Sequence, residues 1–348
     1  MSPSPRQAAV PGLRPGRLAC TPELLAALAG RLTARDRWLL RMLHEHRVLT
    51  TPQITQLAFG ATRAATMRLL TLHRFRAVDR FRPLIPVGSA PLHFVLGEAG
   101  AQVLAAEDAL TPAQLGYRRD RALAIALTPQ LAHTTGMNGF FTALAACARR
   151  GHGELSCWWS ERRCAALWGD LARPDGYGRW REPAPGGVAE ADFFLEYDTG
   201  SEDLPRLVAK LTGYRMLAAR TGIVTPVLFW LPSPRREAAL HTRLTGDSGG
   251  MIPTVPVATA TPALTSPEGP TGAVWLPAGR SGPRLRLAQL GAAWPLALGS
   301  PPPAAGHSGV PGGPGDTGPA SPGLPWHPPA PTPPPAPGYR TRRPPAAA

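Results

Sequence analysis

Lysine is all but missing from this chain. Its 348 residues carry one, Lys210, so that 36 of the 37 basic side chains are arginine. A guanidinium keeps its charge and holds phosphate through a planar fork, whereas a compact ammonium can also gain or lose a proton. Cysteine is scarce too: Cys20, Cys147, Cys157 and Cys164 form no CxxC pair, and no histidine stands at zinc-finger spacing. Neither a structural zinc site nor a disulfide framework is indicated, and free thiols in a reducing compartment are expected. No apolar run approaches the roughly 18 residues of a membrane span, and the basic first twenty residues lack the apolar core of a signal peptide. The chain is therefore expected to be cytoplasmic, with no membrane partner. No Walker loop is present to support an ATP-driven motor. "GDSGG" at 246–250 lies outside any two-barrel pattern and carries no protease reading.

What is abundant is positive charge. A formal net charge of +14 and a pI near 11 draw the chain to a polyanion, and by charge alone DNA, RNA and anionic membrane all qualify. The excess is local. Residues 31–90 hold eleven arginines against three acids, Asp36, Glu45 and Asp79, while acids cluster later. The ends differ from both: residues 1–30 form a basic, Pro-containing N-terminus expected to be disordered. Residues 291–348 are Pro/Gly/Ala-rich, with 17 prolines between 299 and 348. So few apolar side chains cannot offset the entropy of ordering, and this tail is expected to be disordered and partly polyproline-II.

Residues 31–107 read as a DNA-binding domain. "LTARDRWLLRMLHEHRVL" spaces Trp38, Leu39, Met42 and Leu43 for a helix that Thr33 caps. "TPQITQLAFG" gives a second short helix ending at Gly60, and "ATRAATMRLLTLHRFRAV" a third, in which Ala65, Met67, Leu69, Leu70 and Leu72 can pack. Two short strands at 77–85 and 92–96, separated by a Pro/Gly/Ser turn, and a helix from Glu98 complete an N-terminal winged helix-turn-helix. Arg63, Arg68, Arg74, Arg80 and Arg82 are the expected contacts to double-stranded DNA. The competing reading is a winged helix for protein contacts, with a merely solvated arginine face.

After a helical connector at 108–130, residues 131–290 alternate helix and strand. A helix from 131 to Gly151 precedes strands in "ELSCWWSE", "RPDGYGRW" and "GVAEADFFLEYD"; a helix at 202–220 and the buried strand "TPVLFWLPS" follow. Helix, three strands, helix, strand is the core order of the PD-(D/E)XK nuclease-like α/β fold. The fold class is thus α+β: a winged helix, a nuclease-like domain and a disordered Pro-rich tail. That nuclease core places an acid after proline on its second strand and an acid on its third, here Asp175 and Glu196. Two carboxylates at adjacent strand ends suit Mg²⁺ or Mn²⁺. Where the motif would put lysine, the chain has Asp198, expected as a third ligand or as an acid behind the ligands. The ammonium is expected instead from Lys210, on the flank of the following helix and one turn before Tyr214. Surface ion pairs and caps are the bland alternatives. Glu161 is a weaker candidate, and Trp158 and Trp159 are expected in the core. "LHEHR" places Glu45 between its histidines and lacks a tyrosine pair, which argues against a histidine-hydrophobe-histidine relaxase.

"LTARDRWLLRMLHEHRVLTTPQITQLAFG", "RLLTLHRFRAVDR", "RPDG", "FFLEYDTGSEDL" and "KLTGY" together resemble the replication-relaxation proteins of actinobacterial plasmids and integrative elements, over about 31–245. The resemblance implies a winged helix fused to a nuclease-like domain, acting in plasmid replication, DNA relaxation or mobilisation. In a catalytic form, Asp175 and Glu196 would hold Mg²⁺ or Mn²⁺, with Asp198 in support and Lys210 positioning or activating water for DNA nicking. In a non-catalytic form, the protein would recruit a relaxase or replication initiator. A winged-helix transcriptional regulator is the third possibility.

Overall fold

In the computed structural model, which describes residues 20–222, 224–245, 255–264, 268–280, 282–294 and 324–335, two threonines open two helices by the same device. Thr33 accepts from the Asp36 backbone N–H while the Asp36 carboxylate accepts from the Thr33 N–H, at 3.2 and 2.7 Å. Thr50 and Gln53 repeat the exchange at 3.4 and 2.9 Å. Each box satisfies two amides that a helix start leaves open. The helices are α2 (Ala34–His46) and α3 (Thr51–Ala58), preceded by α1 (Pro22–Ala29). The described residues form ten α-helices and two sheets, a mixed α+β fold. None of those helices is long and apolar enough to cross a membrane.

The chain divides into two compact units, Met1–Ala126 with Thr332–Ala348, and Leu127–Pro331. In the first, β1 (Leu49–Thr50) links α2 to α3, and α4 (Thr62–Arg74) leads into the hairpin β2 (Val78–Phe81) and β3 (His93–Leu96). Strand β3 lies between β1 and β2, antiparallel to both. Helix α5 (Glu98–Glu107) follows, then the short α6 (Arg119–Ala124). Leu39, Leu43, Ile54, Leu57, Leu69, Leu72, Phe94 and Leu104 form the core. Gly100 lets α5 sit directly on the chain entering β2, since a Cβ there would collide with the Ala77 carbonyl.

The second unit is a six-stranded sheet with helices on both faces. Helix α7 (Gln130–Arg149), β4 (Glu154–Ser160), α8 (Glu161–Trp168), β5 (Gly176–Ala184) and β6 (Gly187–Tyr197) come first. Then follow α9 (Leu204–Thr221), β7 (Val227–Trp230), α10 (Pro234–Thr245), β8 (Val257–Ala260) and β9 (Leu276–Pro277). The strands lie in chain order. The pairs β4–β5, β5–β6 and β8–β9 are antiparallel, and α9 and α10 make the crossovers between the parallel strands β6, β7 and β8. Alternation along β6 sorts its residues between the faces. Phe193 meets Phe140 and Phe141 of α7, whereas Phe194 meets Tyr214 of α9 at 5.3 Å between ring centroids.

Several sequence expectations need correction. Residues 22–29 are helical because Thr21 caps them, Pro22 suits the first turn and Leu28 is buried; composition averaged over 1–30 hides this. Helix α3 stops at Ala58, before Gly60, because Phe59 is extended. Met67 is 59% exposed rather than packed. Residue Glu161 begins a helix, α8, with Ser160 as its cap. The disorder expected of the tail falls mainly on 295–323 and 336–348, outside the described residues, as do residues 1–19 and 246–250. Residues 324–335 are described: Trp326 is buried, its ring 4.6 Å from the Arg162 guanidinium, and its carbonyl accepts from Arg163 of α8 at 3.4 Å. An aromatic stacked on guanidinium supplies the apolar contact that the tail's composition denies.

Candidate functional site

Glu196 is the centre of a polar cluster inside the second unit. The β5–β6 register sets Gly176 opposite Leu195, so Asp175, one residue ahead of β5, comes beside Glu196. Alternation puts Glu196 on the same face as Phe194, toward α9. On that helix Lys210 and Tyr214 stand one turn apart and both reach the carboxylate. Lys210 Nζ lies 2.8 Å from Glu196 Oε2 and 3.3 Å from Glu202 Oε2, and the Tyr214 hydroxyl donates to Glu196 Oε1. Asp175 Oδ2 accepts from the Tyr197 backbone N–H at 2.8 Å and lies 3.0 Å from His133 Nε2 of α7. The Tyr197 ring fits over α7 only because residue 136 is glycine, a Cβ there colliding with the phenol.

Burial pushes the Glu196 carboxyl up to about 7, and the neighbouring Asp175 charge adds to this, although Lys210 and Tyr214 pull the other way. For Lys210, burial opposes the charge, but the Glu196 and Asp175 carboxylates outweigh it and raise the ammonium above its usual range. The Tyr214 hydroxyl is raised well above its ordinary value, chiefly by burial and then by Glu196. His133 is raised as well: burial lowers it, but the Asp175 carboxylate overcomes that.

Asp198 is engaged elsewhere. Its Oδ1 accepts from the Gly200 N–H at 2.8 Å and from Arg236 of α10 at 3.1 Å, and Arg236 Nε holds the other oxygen. The expected fourth member of the site is thus an anchor for the β6–α9 turn. His133 and Tyr214 take part where sequence reasoning gave them no role. Only Tyr214 had a signal, its position one helical turn beyond Lys210.

The donor set does not fit a divalent ion as it stands. Both Glu196 oxygens are occupied, by an ammonium and a phenol, and Asp198 is paired with Arg236. Among the described residues no group of three or more His, Cys, Asp or Glu side chains could hold a metal. The Lys210 ammonium supplies the positive charge that two adjacent carboxylates require.

In the first unit some arginines pair with acids, Arg31 and Arg35 lie over the Phe75 and Phe59 rings at 5.0 and 5.3 Å, and others, Arg47 among them, are exposed. Arg37 and Arg41 pair with Glu107, Arg41 also with Asp108, Arg76 with Glu98, and Arg68 with Asp36. Arg68, expected among the DNA contacts, braces the cap of α2. Arg63 and Arg74 of α4 and Arg80 of β2 are exposed, with no ion-pair partner among the described residues; Arg82, also exposed, donates to Ser89 at 3.0 Å.

These features define a two-unit α+β protein, one unit carrying exposed arginines and the other a closed carboxylate–lysine cluster. A family model described as replication-relaxation matches residues 40–228. That is more than half of the chain, which belongs to the replication-relaxation family, and membership points to a role in plasmid replication and relaxation. Comparisons with curated proteins and with solved structures find no match.

Proposed function

We propose that this protein binds double-stranded DNA in plasmid replication and relaxation, and that it holds rather than cuts the duplex. The first unit acts as a winged helix: α2, α3 and α4 are its helices, α4 the groove-facing one, and the β2–β3 hairpin its wing. Arg63, Arg74, Arg80 and Arg82 contact the duplex, positioning the protein mainly through phosphate. The observation that carries this reading is the exposure of these four on α4 and the β2–β3 hairpin, while Arg37, Arg41, Arg68 and Arg76 are held by acids of the same unit.

We read the second unit as a PD-(D/E)XK-like core with α8 inserted between its first and second strands, Asp175 standing just ahead of the second strand and Glu196 on the third. Its Lys210 closes the carboxylate pair, so the unit serves as a scaffold, with a relaxase or replication initiator as the partner it recruits. Metal-dependent nicking with Mg²⁺ or Mn²⁺ is the competing reading, favoured by the juxtaposition of Asp175, Glu196 and Lys210. It requires Glu196 to leave both Lys210 and Tyr214.

One experiment tests both parts. Purified protein is incubated with supercoiled plasmid and either metal, beside Asp175→Ala and Lys210→Ala, while a gel shift follows binding across a salt series. Salt-sensitive binding without nicking is expected. Nicking abolished by EDTA and by both substitutions would overturn the scaffold reading and leave DNA binding standing. Binding that ignores salt would overturn the electrostatic reading of the first unit.

A further inference from the structure

The loop joining β2 to β3 carries an exposed apolar tip. Leu84 is 75% exposed, Ile85 44% and Val87 87%. Neighbouring apolar side chains in water favour a partner surface. The tip is also held in shape. Pro83, Pro86 and Pro91 restrict its backbone, Gly88 turns it at φ 82°, and Arg82 ties one side to Ser89 on the other. At its base Phe81 and His93 face each other in register, their rings stacked 5.2 Å apart. A braced loop loses little entropy when it docks.

Charge selects the partner. Arg80 and Arg82 lead into the tip from the β2 side, and no acid occurs between Asp79 and Glu98. Asp79 itself is buried and paired with Arg119 at 3.0 Å. An apolar point in an acid-free segment that carries two arginines is complementary to a polyanion with apolar surface inside it, as a stacked duplex has. Resting on the DNA-binding reading above, we infer that Leu84 and Val87 form a wedge. The hairpin enters the minor groove, the arginines of its β2 side meet phosphates, and the tip inserts at a base step and kinks the duplex. Unstacking costs a few kcal/mol per step, least at flexible pyrimidine–purine steps, and is offset by the apolar surface covered.

The test uses full-length protein and a 30-base-pair duplex of mixed sequence with a central TA step and fluorophores at both ends. Binding is followed by anisotropy and bending by end-to-end energy transfer. Wild type is expected to raise the transfer on binding. Leu84→Ser with Val87→Ser should abolish the rise and weaken binding about tenfold, with the salt slope unchanged, whereas Arg80→Ala should lower the slope by about one. Because both wedge residues are exposed, the thermal midpoint of the double variant should match wild type, separating loss of the wedge from loss of the fold. Salt-dependent binding without bending, or bending unchanged in the double variant, overturns the wedge and spares the DNA-binding reading. Absence of salt-dependent binding in wild type removes both. A wild-type dimer that the double variant converts to monomer assigns the tip to self-association and overturns the wedge as well.

Discussion

Lys210 places its ammonium 2.8 Å from one oxygen of Glu196, and Tyr214, one turn further along the same helix, takes the other. Glu196 is buried while Lys210 keeps part of its side chain in water. Truncating the lysine thus strands a charge that cannot hydrate. Lys210→Ala is expected to destabilise the protein by about 2–3 kcal/mol at pH 8, below the full penalty for a wholly buried pair because the ammonium is partly exposed. Urea unfolding reads the effect, which should shrink at pH 5 as Glu196 takes up a proton.

The same carboxyl sets a pH dependence. Its folded pKa of about 7 lies above the ordinary 4.5, so the folded state binds the proton more tightly. Its contribution to stability is complete below 4.5 and is lost as pH rises through 7. Glu196→Gln should flatten that segment of the stability profile. An unchanged slope between pH 5 and 7 would mean that Glu196 is ionised in the folded protein throughout.

His133 offers a second titration. With Asp175 in place its midpoint should lie above that of an ordinary histidine. In Asp175→Asn only burial and the nearby charges remain, and the midpoint should fall. Histidine resonances followed by NMR across pH 5–8 test this.

Replacing Arg63, Arg74 and Arg80 together should flatten the salt dependence of DNA binding by about three, roughly one per lost phosphate contact. Arg68→Ala should behave differently. It leaves the buried Asp36 carboxylate without its guanidinium, so it should cost about 1.5–3 kcal/mol of stability and little of the slope. The contrast between denaturation and gel-shift series distinguishes the two roles.

Local patterns in the sequence made much of this structure legible. Thr33 was readable as a cap because a cap and its partner stand three residues apart, whereas the Thr-Pro start at 51 drew attention away from Thr50, which caps α3. Lys210 could be aimed toward the strand ends because it stands on the flank of the helix that follows β6, fourteen positions after Glu196. What the sequence did not disclose was long-range pairing: Arg68, expected as a DNA contact, meets an acid 32 positions away, and Asp198, expected as a ligand, meets Arg236 38 positions away. His133 went unnoticed because nothing near it in sequence marks the loop holding Asp175, 42 residues on. Trp326 was lost in a proline-rich average, although a single large aromatic there was the available signal.

Trp326 has its own consequence for stability. Trp326→Ala removes a buried indole from above Arg162 and Arg163 and should cost about 3–5 kcal/mol in the second unit. Limited trypsin digestion should then cut faster after those arginines.

The contact between Arg163 and Trp326 also fixes an order of events during synthesis. The two residues are 163 positions apart, so the sheet and α8 leave the ribosome long before the indole that covers their arginines exists. Domains otherwise fold as they emerge. Here the indole that lies over Arg162 and Arg163 is added only when the chain returns upon the second unit.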